Sequence, residues 1–210
     1  MGMKVYIVGG MFAYGNMFER NGFEVVRDIF EADVLCFTGG PDVHPSLYGE
    51  ARCLRTYSNK LRDDDDTDAY EYGLSKGLSM VGICRGAQFL NVMAGGKLWQ
   101  DVDHHLITGT HPVTDTVTGI TYACSSTHHQ MMRPSTEGTI IGVASGSTYR
   151  TNSIGGITEV WQTGSQVDVE VVTYLDLNIL CFQPHPELGG IDSPCSDYFF
   201  ILLKRELEIY

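Results

Sequence analysis

The amino-acid sequence predicts a single α/β domain whose strands run parallel and are joined by crossovers, and three observations lead there. Short β-rich runs alternate with helical stretches through the first half of the chain, the pattern of repeated strand, crossover, strand units. The chain is 43% hydrophobic and 19% charged with 24 glycines, a composition that suits a packed core with many tight turns and excludes a disordered or fibrous chain. Its 210 residues fall within the span of one hydrophobic core, so residues 1–210 are read as one domain.

The elements follow in order. Strands are expected at 5–8, 23–26, 34–37 and 79–83, each a short run rich in Val, Ile and Phe. Between the last two, residues 63–76 read as a helix. The run Asp63-Asp64-Asp65-Asp66 is its solvated start, placed where carboxylates meet the positive end of the helix dipole, rather than a metal site. Residues 47–62 read as a long loop, the kind of segment that often carries function. A second helix is expected to start at Cys84 and to close at Gly95-Gly96. The second half is richer in β-type segments, at 113–117, 139–144, 157–162, 169–172 and 179–182, and ends in a helix over 195–207.

Charge and cysteine usage narrow the function classes. With 14 Lys and Arg against 26 Asp and Glu, the net charge of -12 repels phosphate backbones and anionic headgroups, so neither nucleic acid nor membrane is an expected partner. Residues 1–10 lack the basic and apolar regions of a signal peptide, and no apolar run reaches spanning length, which makes the cytoplasm the expected location. Six cysteines without C-x-x-C spacing are not read as disulfide staples, and Cys36 and Cys181 sit inside apolar runs as small core residues. Seven histidines raise the question of zinc, but no H-E-x-x-H or C-x-x-C spacing supports a metal site, and no cofactor is expected.

One cysteine stands apart. In Gly82-Ile83-Cys84-Arg85-Gly86, a buried strand runs into a nucleophile flanked by glycines two before and two after, and a helix follows. That is the nucleophile-elbow pattern with Cys in place of Ser, and the helix N-terminus favours the thiolate. A proton carrier is supplied by Gln183-Pro184-His185-Pro186-Glu187 at the end of another apolar strand, with the carboxylate two residues beyond the imidazole it would orient. After the strand at 34–37, Gly39-Gly40 lets backbone N–H groups approach a ligand. The N–H groups of Gly40 and Arg85 are therefore the candidate oxyanion hole.

These three elements, in this order, resemble the class I glutamine amidotransferase family over most of the chain. The stretches 39–50 and 82–86 look like its γ-glutamyl hydrolase branch, peptidase C26, which includes hydrolases of γ-glutamyl-γ-aminobutyrate. The resemblance implies a flavodoxin-like three-layer α/β/α sandwich and a catalytic triad of Cys84, His185 and Glu187. It also implies attack on the γ-carbonyl of glutamine or a γ-glutamyl amide to form a thioester that water resolves. Gln88 matches the family's glutamine four residues after the nucleophile, and residues 126–130 resemble the segment that holds the substrate's α-amino and α-carboxylate groups, which nominates His128, His129 and Gln130. A free-standing hydrolase is the leading expectation. The alternatives are a glutaminase subunit passing ammonia to a separate synthetase partner, since no synthetase domain is visible in the chain, and a catalytically silent binding protein on the same fold.

Overall fold

The computed structural model describes residues 2–10, 12–154, 157–162, 167–190 and 193–209, with the side chains of 153, 154 and 157–162 excepted. In chain order the elements are β1 (Lys4–Val8), α1 (Phe12–Arg20), β2 (Glu24–Val26), β3 (Val34–Phe37), α2 (Lys60–Lys76), β4 (Ser79–Ile83), α3 (Arg85–Met93), β5 (Lys97–Trp99), β6 (Asp101–Val102), β7 (Leu106–Asp115), β8 (Thr121–Thr127), β9 (Met131–Arg133), β10 (Thr139–Ala144), β11 (Tyr149–Ile154), β12 (Ile157–Gln162), β13 (Asp168–Tyr174), β14 (Ile179–Phe182) and α4 (Pro194–Leu207). A nine-stranded sheet runs β2-β1-β3-β4-β14-β13-β10-β7-β8. The five strands from β2 to β14 are mutually parallel, and the remaining four add antiparallel.

The parallel half has no polar alternation because both its faces are covered. Along β3, Val34 and Cys36 point into one core with Tyr14 and Phe18 of α1 and Phe199 and Leu202 of α4, while Leu35 and Phe37 point into the other with Tyr70 of α2 and Phe89 and Leu90 of α3. This is the flavodoxin-like three-layer α/β arrangement, and the expected strands at 34–37, 79–83, 139–144, 157–162 and 179–182 coincide with β3, β4, β10, β12 and β14.

Three expectations are corrected. The helix starts three residues before position 63, inside the expected loop, because the Asn59 side chain accepts the N–H groups of Leu61 and Arg62 and so caps α2 at Lys60. Nor is the acidic run a solvated face throughout: Lys60 pairs with Asp64 in solvent, but Asp63 and Asp66 are buried, one turn apart on the inner side of the helix. The β7–β8 ribbon also extends well beyond the short strand expected at 113–117. Its outer positions are Thr-rich and exposed, so the apolar signal marks only its inner end.

Candidate active site

β4 delivers Cys84 to the carboxyl edge of the parallel sheet, where active sites of such sheets lie. Cys84 adopts φ 53 and ψ -110, a conformation that L-residues rarely hold, and α3 begins at the next residue. Both flanking glycines are required by close approach. A Cβ on Gly86 would lie 2.1 Å from the Phe37 carbonyl oxygen, and one on Gly82 would lie 2.5 Å from the Ala87 nitrogen. The sharp turn is held from the neighbouring strand by the Cys84 N–H, which donates to the Phe182 carbonyl at 2.9 Å.

The Phe182 strand continues into His185. A short 3₁₀ turn over Pro186–Leu188 folds Glu187 back so that its Oε1 sits 2.6 Å from His185 Nδ1. The ring also meets the Cys84 thiol. Burial pushes the His185 imidazole down, but its interactions with Cys84 and Glu187 outweigh burial and hold it up at about 10. Ser125 of β8 fixes the backbone beneath the ring, its hydroxyl accepting from the His185 N–H at 2.7 Å and donating to the His185 carbonyl. The structure thus brings Cys84, His185 and Glu187 together as one constellation.

Gly39 closes the site from β3. A Cβ there would meet His185 Cε1 at 2.9 Å, so only glycine lets the loop lie against the imidazole. The Gly39 N–H donates to the Tyr14 hydroxyl at 3.1 Å, and Tyr14 also interacts with Glu187. Burial, with the nearby Glu187 charge, raises the Tyr14 phenol far above its usual range, so it stays a neutral bridge between the Glu187 carboxylate and the glycine loop. Sequence reasoning missed Tyr14, and nothing in the pattern around it on α1 distinguishes it from a core aromatic. Among the described residues, the backbone N–H groups of Gly40 and Arg85 donate to no protein acceptor.

The Arg85 side chain has a separate task. It is 1% exposed, pairs with both Asp63 and Asp66, and stacks on the Phe89 ring at 5.0 Å. Burial, with Arg62 nearby, lowers it to about 10 despite the opposing pull of Asp63 and Asp42. Arg62 shares Asp66 at 2.9 Å and donates to the Thr38 carbonyl and hydroxyl. One buried network on α2 therefore ties down both the elbow and the glycine loop.

The nominated substrate-side residues divide. The side-chain NH2 of Gln88 donates to the Gln130 carbonyl at 3.2 Å and to Gln183 Oε1 at 3.1 Å, and Gln130 reaches Thr56 and the Gln100 carbonyl. Both are buried. His128 is buried too, its Nδ1 2.8 Å from the Gln130 carbonyl and its Nε2 3.5 Å from Glu170, which places it in a polar cluster beneath the sheet end. His129 alone among the four keeps solvent access, with its side chain 25% exposed between Asp42 and Asp101, and its bond to Asp42 raises its imidazole above the usual value. Beside His185 opens a cavity of about 610 Å³, lined by Ile107, Thr110, Ala123, Ser125, His185 and Leu188 among others.

Known proteins share both sequence and fold with this chain. Residues 20–187 match the sequence model of peptidase C26. The glutamine amidotransferase-like protein YvdE of Lactococcus lactis is 38% identical over 71 residues, 33% of this chain and 30% of that protein, so the match spans about a third of the curated relative's length. Two solved structures share the fold. One, described as a GMP synthase subunit from Thermoplasma acidophilum, has a TM-score of 0.63 and 16% identity over 95% of this chain and 92% of that one. The other, a glutamine amidotransferase from Thermotoga maritima, has a TM-score of 0.60 and 13% identity over 99% and 85%.

Proposed function

Because the chain belongs to the peptidase C26 family, within the glutamine amidotransferase-like proteins, we propose that it is a free-standing, cysteine-dependent hydrolase of γ-glutamyl amides. The observation that carries this reading is the approach of Cys84, His185 and Glu187 at the edge of the parallel sheet, with Glu187 2.6 Å from the imidazole. In the proposed reaction the Cys84 sulfur attacks the γ-carbonyl, and the N–H groups of Gly40 and Arg85 receive the charge that develops on its oxygen. His185 then passes a proton to the departing amine as the C–N bond breaks, leaving a γ-glutamyl thioester. Water, deprotonated by the same imidazole, cleaves the thioester to release glutamate and restore the thiol. Glu187 holds the ring orientation through both halves, and Tyr14 holds Glu187.

The cavity beside His185 favours an amide with a substantial amine over free glutamine. It is lined in part by His185, and it offers threonine and serine hydroxyls together with the apolar surface of Ile107 and Leu188. For the substrate's α-carboxylate the nominated donor is His129, the exposed member of the segment 128–130, while Gln88 and His128 are buried and both bonded to the Gln130 carbonyl. The second reading, a glutaminase subunit serving a separate synthetase, shares the same triad and differs in what leaves.

A product assay separates them. With glutamine and a panel of γ-glutamyl amides as substrates, release of glutamate, ammonia and amine is followed in the isolated protein and in Cys84→Ala. The expected outcome is Cys84-dependent amine release that exceeds ammonia release from glutamine. Weak ammonia release alone, stimulated by an added synthetase, would establish the subunit reading instead. No thiol-dependent turnover on any substrate would leave a silent binding protein.

A further inference from the structure

A second constellation lies outside the triad and shares only His128 with the substrate-side residues nominated above. Glu170, on β13, is 0% exposed, and three imidazoles converge on its carboxylate. His105 Nδ1 is 3.3 Å from Oε1, His128 Nε2 is 3.5 Å from Oε1, and His111 Nε2 is 3.8 Å from Oε2. All three rings are buried. Yet both carboxylate oxygens of Glu170, His111 Nε2 and His128 Nε2 make no hydrogen bond of acceptable geometry among the described residues. Buried polar atoms are costly to leave in this state, and four of them within one cluster call for a cation among them.

The outer nitrogens show which atoms would face it. His105 Nε2 is 3.0 Å from Asp168 Oδ2, and His128 Nδ1 is 2.8 Å from the Gln130 carbonyl. A carbonyl only accepts, so His128 carries its proton on Nδ1, and the Asp168 carboxylate likewise draws the His105 proton to Nε2. That leaves His105 Nδ1, which faces Glu170 and the Ser126 hydroxyl, each at 3.3 Å, and His128 Nε2, which faces Glu170, as lone pairs, the arrangement in which a carboxylate or carbonyl behind an imidazole orients it toward a metal. Spacing agrees as well. With bonds of about 2.0–2.1 Å to nitrogen and oxygen, the ligand atoms of a tetrahedral zinc site lie about 3.3 Å apart, against 3.3 to 3.8 Å here. One ligand atom from each of His105, His111 and Glu170 falls within 4.8 Å of the others, and His128 Nε2, facing the same carboxylate, is the available fourth donor.

We propose that His105, His111 and Glu170, with His128 as the fourth donor, bind a zinc-class divalent cation in a closed structural site behind the triad. Neutral imidazoles with one carboxylate suit a borderline first-row ion rather than Mg²⁺ or Ca²⁺. The local charge agrees, since Asp168 and Glu170 are two buried carboxylates and Arg150, paired with Asp168, supplies one of the positive charges near them. The site would brace the active site from beneath. Ser126 bonds the His105 carbonyl beside Ser125, which holds His185, and the Glu170 carbonyl accepts the N–H of Gln183, two residues before His185. The competing occupant is a proton: a charged His105 would satisfy the same carboxylates without any metal.

The test uses the whole chain, stripped by dialysis against a chelator and titrated with Zn²⁺, and with Co²⁺ as a spectroscopic probe. Stoichiometric Zn²⁺ binding, a rise in Tm and the visible bands of tetrahedral nitrogen and oxygen coordination on Co²⁺ are expected. All three should persist in Cys84→Ala, which removes the thiolate as a rival ligand, and should be lost in Glu170→Gln. Asp168→Asn should weaken Zn²⁺ binding by about 10- to 100-fold, as expected for loss of an orienting partner behind a ligand. If Glu170→Gln fails to fold, the Co²⁺ spectrum of Cys84→Ala decides alone. No binding in the wild-type chain, or binding lost in Cys84→Ala, overturns the proposal and assigns the cluster to protonated histidine.

Discussion

His185 is held between a carboxylate and a thiol, and the two interactions that raise it to about 10 also define what each variant should lose. Replacing His185 by Asn removes the proton carrier of both halves of the proposed reaction, so kcat/KM should fall by roughly 10⁴-fold or more. Glu187→Gln keeps the shape of the contact but not its charge, and its loss should be smaller. Steady-state kinetics on one γ-glutamyl amide checks the order; a Glu187→Gln loss exceeding that of Cys84→Ala would reverse the roles. Charge on the imidazole has a pH consequence as well. A group held at about 10 is protonated throughout the neutral range, so an imidazolium stands beside Cys84 at about pH 6 as at about pH 8. Haloacetamide alkylation of Cys84 should therefore persist below neutral pH and should lose that persistence in His185→Asn, as measured by rate against pH.

At the scale of elements, the elbow depends on how closely α3 crosses β3. The Gly86 position faces the Phe37 backbone at 2.1 Å for an added Cβ, and backbone cannot rotate away as a side chain would. Gly86→Ala should cost about 1–3 kcal/mol or more by overpacking and should lower activity through displacement of Cys84. Gly15 of α1 is the contrasting case. An added Cβ there meets Val25 methyl carbons at 3.8 Å and beyond, so Gly15→Ala should be neutral or stabilise by up to about 1 kcal/mol. Thermal melts of the two variants make the comparison, and equal shifts would mean that the crossing of α3 over β3 has room to give. The same logic applies to α2, whose inner carboxylates bind Arg85 and Arg62. Removing Asp66 would strip a shared partner from two buried guanidinium groups, so Asp66→Ala should cost about 3–5 kcal/mol.

Over the whole molecule, six cysteines share one chain but only one is placed to react. Cys36, Cys53, Cys124, Cys181 and Cys195 are buried and free, whereas Cys84 is partly exposed. Burial raises Cys36 and Cys181, so these thiols are protonated as well as shielded. Intact-mass analysis after brief alkylation should show one modification on the native protein, at Cys84, and six on the unfolded chain; a second rapid native site would contradict the burial. The division between what could be read from the chain and what could not follows the range of the interactions. Gly82, Cys84 and Gly86 lie within one turn, and His185 and Glu187 within three residues, so the local pattern of strand, glycine and helix already determined the elbow and the parallel core and placed the proposed base beside its carboxylate. Tyr14, the Arg85–Asp66–Arg62 network and the convergence of His105, His111 and His128 on Glu170 join residues far apart in sequence. Their partners are chosen only when the sheet stacks its helices and brings residues of β7 and the ends of the β7–β8 ribbon to Glu170 on β13, because burial makes a charge dependent on whatever neighbour the packing supplies.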